Sequence, residues 1–122
     1  WDHPSGWRTS TSNYLRNVED CHTHVRTDLF RPPYGRMTNS QIARLRKRYQ
    51  LVMWDILSGD FEQDMTGPQC AGNVIKRARS GSIIVFHDNL ISEERMRYAL
   101  PKVLEALLAQ GYKFPVLPHK AL

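Results

Sequence analysis

Three short apolar stretches in this chain end abruptly in residues that can do chemistry. Leu29-Phe30 runs into Arg31-Pro32-Pro33-Tyr34-Gly35. Leu51-Val52-Met53-Trp54 runs into Asp55, with Ser58 and Asp60 close behind. Ser82-Ile83-Ile84-Val85-Phe86 runs into His87-Asp88. A buried strand that delivers functional side chains at its carboxyl end reads in this way. Arginine, aspartate and histidine at three such tips suggest one face carrying acid–base chemistry. His87 is the leading candidate for proton transfer, because imidazole titrates near neutrality. Asp55 and Asp60 both follow the middle stretch and could hold it, since a carboxylate bonded to one ring nitrogen fixes the tautomer of the other. Arg31 carries the planar fork that grips a carboxylate through two hydrogen bonds. Each has a plainer reading: a buried, hydrogen-bonded histidine, loop-capping roles for Asp55 and Asp60, and a rigid Pro-Pro turn beside an exposed aromatic.

Taken together these segments resemble a known family. FRPPYG (Phe30–Gly35), WDILSGDF (Trp54–Phe61) and IIVFHD (Ile83–Asp88) look like the third, fourth and fifth motifs of the polysaccharide deacetylases, also called the NodB-homology or carbohydrate esterase 4 family. Trp1-Asp2-His3-Pro4 resembles the end of that family's second motif, a His-x-x-x-His metal site. The resemblance covers nearly the whole chain in the family's order. The Asp-Asp pair of the first motif and the first histidine of the second are absent. The resemblance therefore implies the later part of a catalytic domain, with residues 1–122 as a single partial domain. The fold implied is α/β: part of a distorted (β/α) barrel of the NodB type, parallel strands alternating with helices, its first strands missing. The helix–strand alternation alone would equally allow an open doubly wound sheet.

The activity implied is metal-dependent hydrolysis of N-acetyl groups from an N-acetylated polysaccharide, chitin-like or peptidoglycan. By resemblance, His87 is the general acid that protonates the leaving amine, and Asp60 tunes it. Arg31 orients a catalytic base that belongs to the absent first motif. Tyr34 lends its backbone N–H to an oxyanion hole. Pro33, Trp54 and Phe61 contact substrate, Phe61 standing where the family often has Trp or Tyr. His3 is one ligand of a divalent metal, zinc foremost, with cobalt, nickel or manganese able to share such ligands. With one of three protein ligands present and the base absent, the isolated chain is expected to be inactive. The partners implied are the N-acetylated glycan and the missing N-terminal segment of the same domain, and the substrate class suggests the cell envelope or an extracellular location. The alternative is a non-catalytic glycan-binding remnant, with Trp1, Trp7, Tyr34 and Trp54 stacking on sugar rings.

Helices must position these tips. Ser10 or Thr11 caps a first helix running to about His24, with Tyr14, Leu15, Val18, Cys21 and Val25 at helical spacing. Thr38 and Gln41 form a capping-box pattern for a second, with Ile42 and Leu45 inward. A third begins near Thr66, with Pro68 in its first turn and Cys70, Val74, Ile75 and Ala78 inward. A last helix, holding Met96 to Leu108, stops at Gly111. Strands are expected at Leu29–Phe30, Leu51–Trp54, Ser82–Phe86 and Tyr112–Leu117.

The net charge of +5 is concentrated in Arg44, Arg46, Lys47 and Arg48 and in Lys76, Arg77 and Arg79. Neither cluster has interleaved aromatics, so both read as solvated helix faces, and no nucleic-acid partner is expected. No apolar run is long enough to cross a bilayer. Cys21 and Cys70 fit neither a zinc ribbon nor a redox Cys-x-x-Cys and read as thiols. His22 and His24 lie two apart on a helix, on different faces, and would not chelate together.

Overall fold

The computed structural model describes residues 1–118. They form two compact units, with Trp1–Met53 as the body of the first and Trp54–Val116 as the second.

In the first unit α1 (Thr11–Val25) starts where the Ser10 hydroxyl accepts the Asn13 N–H, and ends on Arg26 in the left-handed conformation. Tyr14 and Val18, one turn apart, bury against Leu45 and Tyr49, with Phe30 and Leu51 packed around them. Strand β1 (Leu29–Phe30) pairs in parallel with β2 (Gln50–Leu51), Phe30 opposite Leu51. Between them α2 (Asn39–Leu45) opens on a full capping box of Thr38 and Gln41. Gln41 does more than cap. It is wholly buried, and its amide donates to the carbonyls of Gly6 (2.9 Å) and Thr9 (3.1 Å). This fixes the amino-terminal turn Gly6–Arg8 against α2. Gly6 is required there, because a Cβ would sit 2.4 Å from the Arg36 carbonyl oxygen.

In the second unit β3 (Ile56–Leu57) pairs in parallel with β4 (Ile84–Val85), Ile56 opposite Ile84. Helix α3 (Gly67–Ile75) begins on a second capping box, Thr66 with Gln69, and carries Pro68 in its first turn. Helix α4 (Glu93–Ala109) buries Ala99, Val103 and Leu107, a stripe four residues apart. These meet Ile56, Cys70, Ala71 and Val74 in one core. The two helices approach closely at Gly67, where a Cβ would lie 2.7 Å from the Tyr98 Cβ.

Both strand pairs are parallel with a helix in the crossover, which is the α/β alternation expected. Several expected boundaries are corrected. The single middle strand Leu51–Trp54 is instead two: β2 pairs with β1, and β3 starts beyond Asp55 and pairs with β4. The apolar run concealed this division, since hydrophobicity does not mark where hydrogen-bonded partners change. Ser82–Phe86 pairs only at Ile84–Val85. Tyr112–Leu117 is not a strand; Lys113–Leu117 is exposed, and Pro115 removes a donor that a ladder would need. Val25 is exposed rather than inward, because the last turn of α1 runs past its core. Cys21 and Cys70 are both free thiols.

Candidate active site

The second unit joins His87 to Asp60 by two hydrogen bonds. The His87 main-chain N–H donates to Asp60 Oδ2 at 2.6 Å, and Nδ1 of the ring lies 2.7 Å from Oδ1. A carboxylate only accepts, so this geometry puts the ring proton on Nδ1 and turns Nε2 outward. Asp60 is completely buried, while the imidazole keeps 34% of its side-chain surface open. The pair thus has a hidden holder and a reachable proton carrier.

Short loops set this arrangement. Asp60 follows β3 after Gly59, whose φ of 86° turns the chain. The Asp60 N–H donates to Ser58 Oγ at 3.2 Å, and Ser58 is fully buried. Asn73 on α3 donates to the carbonyls of Leu57 (2.8 Å) and Ser58 (3.1 Å), so the strand end is satisfied from the helix. Phe61 sets its ring edge-on to His87, centroids 5.1 Å apart at 75°. Asp55 takes the plainer role: its carboxylate accepts the Ile83 N–H at 2.9 Å and lies 3.8 Å from the exposed Arg79. Trp54 is half-buried and has no ring partner among the described residues. Arg95 was not anticipated. From α4 its Nε donates to the Asp60 carbonyl oxygen at 2.7 Å, and its Nη2 donates to the Ile91 carbonyl. Neither its spacing nor its neighbours mark it in the sequence.

The first unit holds the other expected residues. Pro33-Tyr34-Gly35 forms a tight turn after β1, closed by hydrogen bonds from Gly35 to Pro32 (3.0 Å) and from Arg36 to Pro33 (3.1 Å). Tyr34 has φ 56° and ψ 11°, a left-handed conformation rare for a bulky residue, and it is 63% exposed. Arg31 is exposed and has no ion-pair partner among the described residues. His3 is exposed, also at positive φ (57°), and sits edge-on to Tyr34 at 5.0 Å. A partly open hollow of about 300 Å³ runs beside Arg31 and Pro33, walled by Tyr14, Val18, Phe30 and Tyr49. Burial pushes the Tyr14 hydroxyl up to about 12, and that hydroxyl has no hydrogen-bond partner. Of the exposed tryptophans, Trp1 stacks on His24 at 4.6 Å, and Arg36 lies over Trp7 at 5.1 Å.

Among the described residues no group of three or more His, Cys, Asp or Glu side chains is placed to hold a metal ion. His3 is a single donor, and a catalytic divalent site needs about three protein ligands. The residues present do not make the metal site that the motif resemblance implies. The described residues also contain no helix long and apolar enough to cross a membrane.

No family model matches the chain. A peptidoglycan-N-acetylglucosamine deacetylase of Bacillus cereus is 33% identical over 88 residues, covering 70% of this chain and 41% of that protein. The crystal structure of a peptidoglycan N-acetylglucosamine deacetylase superposes with a TM-score of 0.87 at 20% identity, over 97% of this chain and 58% of that one. A family 4 acetyl xylan esterase from Clostridium thermocellum, solved with a cobalt ion, superposes with a TM-score of 0.81 at 22% identity, over 94% and 58%. The curated and structural neighbours are peptidoglycan deacetylases and family 4 carbohydrate esterases, consistent with a fragment of a NodB-homology domain. The chain spans less than half of the curated relative (41%) and under three fifths of the solved chains (58% in each case).

Proposed function

We propose that this chain is part of a single catalytic domain that hydrolyses N-acetyl groups on an N-acetylated glycan of the chitin or peptidoglycan kind. The observation that carries the reading is the His87–Asp60 pair, with both carboxylate oxygens engaged and the ring still open to solvent.

Amide hydrolysis needs water to add to the carbonyl carbon and the C–N bond to break. The amine leaves poorly unless it gains a proton as the bond breaks. His87 delivers that proton from Nε2, while its Nδ1–H stays on Asp60. Asp60 steadies the imidazolium before the transfer and fixes the neutral tautomer after it. Phe61 limits rotation of the ring from one side. In the first unit, the Tyr34 amide is the oxyanion donor of this reading, and its left-handed backbone sets the direction of that N–H. Arg31 is the partner of a catalytic carboxylate supplied by the N-terminal part of the domain, and Pro33 and Trp54 contribute to the glycan groove. A divalent metal, zinc foremost, belongs to the reading. Among the described residues His3 is the one ligand of this reading.

The test uses a chain extended to the relatives' full domain length and an N-acetylglucosamine oligomer or peptidoglycan as substrate. Acetate release should fall by about 10²–10⁴ in His87→Ala. Release unchanged by that substitution would remove the general-acid role. The 122-residue chain by itself should release no acetate.

A further inference from the structure

We infer that Arg95 is the positioning residue of the His87–Asp60 pair, a role no motif assigns to it. The inference rests on the general-acid reading of His87 only for its consequence in catalysis; the geometry stands without it.

Asp60 and His87 are carried by different loops, one leaving β3 and one leaving β4. Their carboxylate–imidazole contact is one bridge between those loops. Arg95 makes a second. Its Nε donates to the main-chain oxygen of Asp60 at 2.7 Å, and its Nη2 donates to the carbonyl of Ile91, on the loop that follows His87. A guanidinium is planar with its donors in a fixed fork, so two carbonyls held by one guanidinium are held at a fixed separation. The Asp60 residue is therefore gripped at both ends, its carboxylate by His87 and its carbonyl by Arg95.

The position of Arg95 strengthens this. It is the third residue of α4, after Ser92, Glu93 and Glu94. A helix start favours negative charge and disfavours a cation. A capping box would also put Glu or Gln at that third position. Ser92 makes no capping bond, and its hydroxyl is buried without a partner. Glu93 and Glu94 suit the helix start, so Arg95 is the position in that turn that goes against local helix preference, and what it obtains in return is the contact with Asp60. Both groups are close enough to Cys70 for their charges to act on its thiol in opposite senses.

The experiment is nitrogen-15 NMR of the His87 ring in the 122-residue chain, with Arg95→Met, Arg95→Lys and Thr66→Ala beside the parent. The parent should show the Nδ1–H tautomer, with that proton protected from solvent exchange. In Arg95→Met the ring should become a mixture of tautomers, and its Nδ1 proton should exchange on the order of tenfold faster, as for loss of one charge-assisted hydrogen bond. Arg95→Lys keeps a donor without the fork and should fall between. Thr66→Ala loosens the same unit through a helix cap and should leave the ring signal as in the parent. A ring unchanged in both Arg95 variants, with only the melting temperature lowered, would overturn the inference and leave the His87 reading intact. A parent ring lacking the Nδ1 proton would overturn the pairing itself, and both ideas with it.

Discussion

At the scale of single residues, the proposed function rests on a carboxylate that cannot be reached and an imidazole that can. Asp60→Asn keeps the shape but presents an amide to a ring nitrogen and a main-chain N–H that both need acceptors. Both amide orientations lose the charge: one sets the NH2 against the main-chain N–H, donor against donor, and the other forces the ring to give up its Nδ1 proton. The second unit should lose about 1–3 kcal/mol of stability, seen by urea unfolding, and kcat of the full-length domain should fall with KM little changed. Tyr34 tests a different point. A left-handed tyrosine costs about 1–2 kcal/mol relative to glycine. Tyr34→Gly should therefore stabilise the first unit, and if its amide is what acts, the full-length domain should keep its turnover within a few-fold. A large loss of kcat would mean that the phenol ring acts instead. Tyr49 gives a pH dependence. Burial and a 3.0 Å hydrogen bond to Glu19 push its hydroxyl from 10.0 up to about 12. A raised folded value means that the stabilisation is complete below pH 10 and is lost as pH rises through about 12. Alkaline unfolding of the first unit should fall in that window and flatten in Tyr49→Phe. The meeting of His87 and Asp60 was suggested by the sequence because His87 directly follows one apolar run and Asp60 lies a few residues beyond another. Arg95 and Gln41 were not, because each acts on main-chain carbonyls of distant segments, and such carbonyls leave no mark in a sequence.

At the scale of elements, helix starts and the strand Leu29–Phe30 were readable, and the ends of the other strands were not. Thr38 with Gln41 and Thr66 with Gln69 are local patterns, three residues apart, and both form reciprocal caps. Thr66→Ala should cost about 1 kcal/mol in the second unit, measured by thermal unfolding. Each strand is two paired residues, and what ends β2, β3 and β4 is the position of a partner far along the chain. The α3–α4 contact at Gly67 has the same character. Alanine is the better helix former, yet its methyl would press on the Tyr98 Cβ rather than on a movable side-chain end. Gly67→Ala should therefore destabilise by about 1–3 kcal/mol, opposite in sign to helix propensity; a raised melting temperature would show that the helices separate at little cost.

At the scale of the whole molecule, the motif resemblance, the sequence relatives and the superposed structures point to one family, and the chain spans part of each relative's length. Composition limited the answer without naming it. The basic residues are exposed, but only Arg44 lies within a helix: Arg46, Lys47 and Arg48 follow the end of α2, and Lys76, Arg77 and Arg79 follow the end of α3. The motifs supplied one candidate metal donor, His3, and among the described residues no group of three His, Cys, Asp or Glu is placed to hold a metal ion. The complement of Arg31 was not readable, because nothing in these residues says what carboxylate meets it. Adding the N-terminal part of the domain in trans should restore acetate release if the two parts associate, and a release that also depends on Arg31 would show that the guanidinium found its partner.

The two cysteines give the chain a pair of internal clocks. Cys21 is half-exposed on α1, whereas Cys70 has no exposed surface and its thiol is pushed up by burial in the core of the second unit. A small disulfide reagent should modify Cys21 at once. It should reach Cys70 only as often as that core opens, so the slow phase of labelling times the breathing of the structure that holds Asp60. Mass spectrometry of a single sample then follows both units together, and a substitution near the His87 pair declares itself as a change in the second clock alone.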